Sequence, residues 1–212
     1  FTDMPPPQMF KPVDDFAREK TAETISNAAL FAYEKFKDKA PIISIENVYP
    51  EMALSRAESL RKAVEETRDV FARKLVEKKG LSRDEAKRIA EKSIGVTWDL
   101  GHINMLRKSG YSEKEILEET KKIADVVKHV HIADNFGFHD SHLPPGMGDV
   151  PIKDMMRELE KQGFSGRAIL EAGAFAAHFK ESPQPYAFEA MNSPLYTHEM
   201  PPYSEPYLGA IR

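Results

Sequence analysis

The chain contains no cysteine. Disulfides and thiolate metal sites are therefore excluded, and any metal must be held by imidazole and carboxylate groups. It also lacks an apolar run approaching the roughly 20 residues that span a bilayer. No stretch reads as a signal peptide, so the expectation is a cytoplasmic protein without a membrane partner. Positive charge is not in excess: 30 Lys and Arg stand against 34 Asp and Glu, for a net charge of −4. That balance gives no general attraction for nucleic acid. The single tryptophan, Trp98, and the scattered phenylalanines read as core or pocket wall, not as a platform for stacked bases.

What remains is an ordinary globular composition, 41% hydrophobic and 30% charged over 212 residues, enough for one domain with a real core. Pro5, Pro6 and Pro7 exclude helix or central strand near the start. From Val13 to Phe36 the apolar residues Phe16, Ala17, Ile25, Ala28, Ala29, Ala32 and Phe36 fit a helix of one-sided burial. Strands are expected near 42–46, 94–99, 127–132 and 167–171. Two charged helices separate the first pair, with Gly80 as a C-terminal cap and Ser82 with Glu85 as a capping-box start. Ser112 with Glu115 opens another helix, and Ile152 to Gln162 a further one. Short apolar strands alternating with amphipathic helices predict an α/β fold with a parallel sheet covered by helices. Residues 1–180 form this unit. Residues 181–212, with Pro183, Pro185, Pro194, Pro201, Pro202 and Pro206, read as a tail packing on it.

In parallel sheets chemistry gathers at the C-terminal strand ends. Here all of them finish in a metal-competent side chain: Glu46, Asp99, His131 and Glu171. Asp99-Leu100-Gly101-His102 adds a histidine after a tight turn, and Asp140-Ser141-His142 offers two ligands at a spacing that puts both on one side of an extended loop. The bland alternatives are a helix cap at Asp99 and a surface loop at 140–142. His129 shares a strand face with His131 and reads as a hydrogen-bonded supporting residue. Glu171 reads as a buried carboxylate that needs a partner to offset its desolvation.

Taken in order, Ile45-Glu46-Asn47, Asp99-Leu100-Gly101-His102, His131-Ile132-Ala133-Asp134-Asn135, Asp140-Ser141-His142 with Gly146 and Gly148, and Leu170-Glu171 resemble the xylose isomerase-like TIM-barrel superfamily. That superfamily includes the sugar phosphate isomerase/epimerase proteins and the related endonuclease IV enzymes. The resemblance implies a (β/α) barrel of which this chain carries the C-terminal four βα units. It implies Glu46, Asp99, His131 and Glu171 as ligands of a divalent metal, with His102, Asn47 and Asn135 toward substrate. Asp140 and His142, with His102, match the pair that holds an additional metal in the endonuclease-type members. Two departures stand out. The first four barrel strands are not found, which implies a homo-oligomer or a complementary half. Gly137 stands where ketose 3-epimerases of this superfamily carry an arginine six residues after the metal histidine, which argues against 3-epimerisation.

The leading expectation is a metal-dependent isomerase or epimerase of a small sugar or sugar phosphate, with Glu46 and Glu171 as the acid–base pair of an enediolate route. An oxygen-rich ligand set favours Mn²⁺, Mg²⁺ or Co²⁺ over tight Zn²⁺. The competing expectation is an endonuclease IV-like, multi-metal phosphodiester hydrolase acting on abasic DNA. Clustered Lys/Arg for phosphate neutralisation is missing, so nucleic acid is not the expected partner. A third is a barrel fragment that binds a metal or a partner without catalysis.

Overall fold

In the computed structural model residues 10–191 are described. The chain opens with helix α1 (Val13–Phe36), whose small inward residues Ala22, Ser26, Ala29 and Ala32 let it lie close against α2 (Ala57–Lys79). Helix α2 buries Leu60, Ala63, Val64, Thr67, Phe71 and Leu75, a stripe at helical spacing. It ends as the sequence predicts, with Gly80 left-handed at φ +68° and its N–H on the Val76 carbonyl. Ser82 accepts the Glu85 N–H at the start of α3 (Arg83–Ser93), and Ser112 with Glu115 makes a reciprocal capping box ahead of α5 (Glu113–Ile123).

The sheet holds β1 (Ile43–Glu46), β2 (Ile94–Asp99), β3 (Val127–Ile132) and β4 (Arg167–Leu170) in that spatial order, all parallel. Its helix-facing side carries Ile45, Val96, Trp98, Val130 and Ile132, all buried. Trp98 is fully enclosed and donates its indole N–H to Thr120 Oγ1 on α5 at 3.1 Å. The opposite face carries Glu46, Thr97, Asp99, His129 and His131, with Asp99 opposite His131 in register.

Among the described residues β1 and β4 each pair on one side only, so the barrel is not closed. The outer strand β4 is accordingly open to water, with Ile169 53% exposed. This corrects the reading of Glu171 as a buried carboxylate. Its side chain is 37% exposed because no further strand covers β4.

Helix α6 (Ile152–Lys161) packs Ile152, Met155 and Leu159 inward, whereas Met156, which the sequence pattern also placed inward, is only partly buried. Three short helices were not anticipated. After β2 comes α4 (Leu100–Asn104), which tightens into a 3₁₀ turn over Met105–Ser109. After β4 come α7 (Gly173–Phe179) and α8 (Gln184–Ala190). The prolines at 183 and 185 sit at the start of α8, where a missing N–H costs nothing, so they open a short helix within the segment read as a Pro-rich tail. The other tail prolines lie outside the described residues, as do Pro5, Pro6 and Pro7.

Candidate metal centre

Four strand ends bring their terminal side chains to one mouth. His131 Nδ1 lies 3.0 Å from Glu46 Oε1, 3.1 Å from Glu171 Oε2 and 3.7 Å from Asp99 Oδ2. One donor atom from each of the four lies within 4.8 Å of the others. Asp99 plays two parts. Its Oδ1 accepts the His102 N–H at 2.8 Å and so caps α4, while its Oδ2 is buried without a partner. The capping reading and the ligand reading therefore apply to different oxygens of one carboxylate.

Capping turns the chain back and sets His102 beside the first cluster. Its Nδ1 donates to the Asn47 carbonyl at 2.7 Å, which leaves Nε2 facing Asp140 Oδ2 at 3.3 Å. His142 Nε2 reaches the same oxygen at 2.8 Å, and His102, Asp140 and His142 form a second group with metal-ligand spacing. Asp140 Oδ1 is buried and unpartnered. His142 holds φ +47°, a left-handed conformation that costs a non-glycine residue roughly 1 kcal/mol or more.

The loop that delivers Asp140 and His142 is strapped by Asp134. Its Oδ1 accepts the N–H groups of Asn135 at 2.9 Å and Val150 at 3.0 Å, and its Oδ2 that of Gly146 at 2.8 Å. Backbone bonds in both directions join Asp134 to Leu143, at 2.8 and 2.9 Å. Gly148 is required for this closure: a Cβ there would stand 2.4 Å from the Asn135 carbonyl oxygen.

Asn47 and Asn135, read from the sequence as substrate contacts, are both fully buried. Asn47 clamps the Asp99 backbone, donating to its carbonyl at 3.0 Å and accepting its N–H at 2.7 Å. Asn135 donates to the Gly101 carbonyl at 2.9 Å and accepts from Gly137 N–H at 2.8 Å and Asn104 Nδ2 at 3.1 Å. His129 stacks edge-on against His131 with ring centroids 5.2 Å apart. Sequence reasoning gave no role to Asp134, Asn104 or Tyr49. Only Tyr49 carried a local signal, since Pro50 after it marks a turn.

The electrostatics follow from the crowding. The neighbouring Asp99 carboxylate and the Glu46 and Glu171 charges outweigh burial and push His131 up to about 9. Burial opposes charge on His102, yet Asp140 and Asp99 carry it to about 9 as well. For Asp140 burial is likewise overcome, by His102 and His142, and its carboxyl titrates below the ordinary value. Three carboxylates gathered around one imidazole favour a positive charge at their centre, which protonated His131 supplies in the absence of a cation. The four donors have the spacing of a set that could hold a divalent cation.

The family described as xylose isomerase-like TIM barrel matches residues 18–191. The chain belongs to that family. One relative is an uncharacterized protein of Methanocaldococcus jannaschii, 32% identical over 85 residues, covering 40% of this chain and 28% of that one. Another is a fructoselysine 3-epimerase of Shigella flexneri, 31% identical over 70 residues, covering 33% of this chain and 24% of the relative. The chain thus matches well under half the length of these relatives. Among solved structures, an apo 3-keto-D-glucoside 4-epimerase from Escherichia coli overlays with a TM-score of 0.52 at 16% identity, across 91% of this chain and 58% of that chain. That likeness supports the TIM-barrel fold of this open four-stranded sheet.

Proposed function

We propose that the protein works as a divalent-metal-dependent isomerase or epimerase of a small sugar or sugar phosphate. The observation that carries this is the convergence of Glu46, Asp99, His131 and Glu171 on one point, with Asp99 Oδ2 buried and unpartnered. The fructoselysine 3-epimerase among the relatives supports the substrate class. A cation held by these four residues supplies Lewis-acid polarisation of a substrate carbonyl.

The chain's own groups do the proton work. Glu46 and Glu171 approach His131 from the two outer strands, each 37% exposed and reachable from the mouth. One carboxylate removes the proton from the carbon beside the carbonyl, and the electron pair moves onto the carbonyl oxygen to give an enediolate. The other enters the step as the carboxylic acid and gives up its proton, to the neighbouring carbon for isomerisation, where the hydroxyl proton also passes between the two enediolate oxygens, or to the opposite face of the same carbon for epimerisation. Such acid–base work is worth about 10² to 10⁴ in rate. His102, 13% exposed at the side chain, has only Nε2 free of the Asn47 carbonyl and orients a substrate hydroxyl only where no cation occupies the second group. Asn47 and Asn135 serve as braces of the strand ends. Gly137 has no side chain to offer and packs against Arg107, so the reading stops at the reaction class and does not extend to C3.

The test is exchange of substrate carbon-bound hydrogen with solvent deuterium, followed by NMR on a panel of ketoses and their phosphates. Replacement Glu171→Gln is expected to abolish exchange while metal is retained. Exchange at the wild-type rate in that variant would falsify the enediolate scheme.

The second group, His102, Asp140 and His142, favours a second reading, an endonuclease IV-like hydrolase of abasic DNA. Nicking of an abasic duplex at low salt, with no sugar exchange, would shift the assignment there. In the isomerase reading the same group holds an additional cation at the edge of the mouth.

A further inference from the structure

Tyr49 lies where the two ligand groups meet, and neither group claims it. The Tyr49 carbonyl accepts the Met52 N–H at 2.9 Å with Pro50 next in the turn, and Ser55 Oγ donates to the Pro50 carbonyl at 3.0 Å. The backbone at Tyr49 is therefore pinned. Its ring packs edge-on against His102, centroids 4.9 Å apart and planes at 71°. Its hydroxyl lies 3.4 Å from Asp140 Oδ2, the oxygen that also faces His102 Nε2 and His142 Nε2. One side chain thus touches two of the three donors of the second group and holds them relative to each other.

His102 has two supports. The Asn47 carbonyl fixes which nitrogen carries the proton, and the Tyr49 ring fixes the plane in which Nε2 points. Asp140 has a buried Oδ1 without a partner, so its orientation depends on what grips Oδ2. At 3.4 Å the Tyr49 hydroxyl is long for an O–H···O bond, so the ring contact is the firmer of its two holds.

We propose that Tyr49 is the positioning residue of the second cation site, aligning His102 through its ring and Asp140 through its hydroxyl. This rests on the reading of His102, Asp140 and His142 as a cation site. Groups that orient metal ligands from behind typically change affinity by about 10- to 100-fold when removed. The first group stands apart from this hold: among the described residues no contact of Tyr49 with Glu46, His131 or Glu171 is seen beyond long-range charge.

The test is titration of metal-stripped protein with Co²⁺, read by its visible absorption and by calorimetric stoichiometry, for wild type, Tyr49→Phe and Tyr49→Leu. Wild type is expected to take two Co²⁺ per chain. Tyr49→Leu should weaken the second by 10-fold or more and leave the first unchanged. Tyr49→Phe separates the two halves of the hold: affinity near wild type assigns the work to the ring, and affinity near Tyr49→Leu assigns it to the hydroxyl. Both outcomes support the proposal. If both variants bind the second Co²⁺ as wild type does, Tyr49 has no such role. If wild type binds a single Co²⁺, the second cation site fails and the proposal fails with it, while the four-ligand site survives. Should Tyr49→Leu not fold, Tyr49→Phe is paired with Tyr49→Trp, which keeps a ring edge but moves the donor.

Discussion

Asp99 shows how much one side chain can be asked to do. One oxygen starts a helix and the other faces the proposed cation site, so Asp99→Asn should leave α4 capped while weakening cation binding there. Titration with Mn²⁺ checks this, with a loss of at least 10-fold expected and an intact far-ultraviolet spectrum. The histidines give a pH signature. His131 and His102 titrate at about 9 in the metal-free protein, above the ordinary histidine value near 6.5. Their charged forms are the ones the fold stabilises. That contribution is fully present below about 6.5 and is lost as pH rises through about 9. The melting temperature of metal-stripped protein should therefore fall between those limits. In His131→Gln the fall should be shallower, and a profile identical to wild type would show that His131 carries none of it.

At the scale of the element, the strap around Asp134 decides where the second group lies. Its carboxylate takes three backbone N–H groups, those of Asn135, Gly146 and Val150. Asp134→Ala would leave the buried N–H groups of Asn135 and Val150 without that acceptor, at about 1–3 kcal/mol for a buried donor. The expected result is a loss on the order of 3 kcal/mol in urea unfolding. The second Co²⁺ should be lost while the first is kept, because Glu46, Asp99, His131 and Glu171 sit on strands. A second element depends on one pair: Glu119, nearly buried, takes Arg56 through two bonds of 3.1 Å and caps the Ala57 N–H at 2.9 Å. Burial works against its charge, yet Arg56 and the Ala57 N–H hold its carboxyl below the ordinary value. This contribution is present above the ordinary carboxylate range and is lost as pH falls through the depressed value.

For the whole molecule the open sheet is the dominant fact. Strands β1 and β4 each leave one edge unpaired among the described residues, and Phe16, Phe31, Ile42 and Ile169 are each more than half exposed. Unpaired edges beside exposed apolar side chains favour association. In light scattering, the chain expressed by itself should show a mass above 24.0 kDa. A stable monomer with a single cooperative melt would mean that the open face needs no cover.

The sequence by itself determined the order of elements and the chemistry at the strand ends. Alternating apolar runs and capped helices make a parallel sheet, and the residue closing each strand must stand at the mouth whatever the loops do. Glu46, Asp99, His131 and Glu171 were legible for that reason. Asn47 and Asn135 were not, because an amide beside a ligand looks the same in sequence whether it faces solvent or the next strand. Only the tertiary structure turns both inward, onto the Asp99 and Gly101 backbone. It alone brings Tyr49 to His102 across 53 positions, and Asp140 to His102 across a loop whose path Asp134 sets. Period and capping are local and can be read along the chain. Which oxygen is left without a partner depends on everything packed around it.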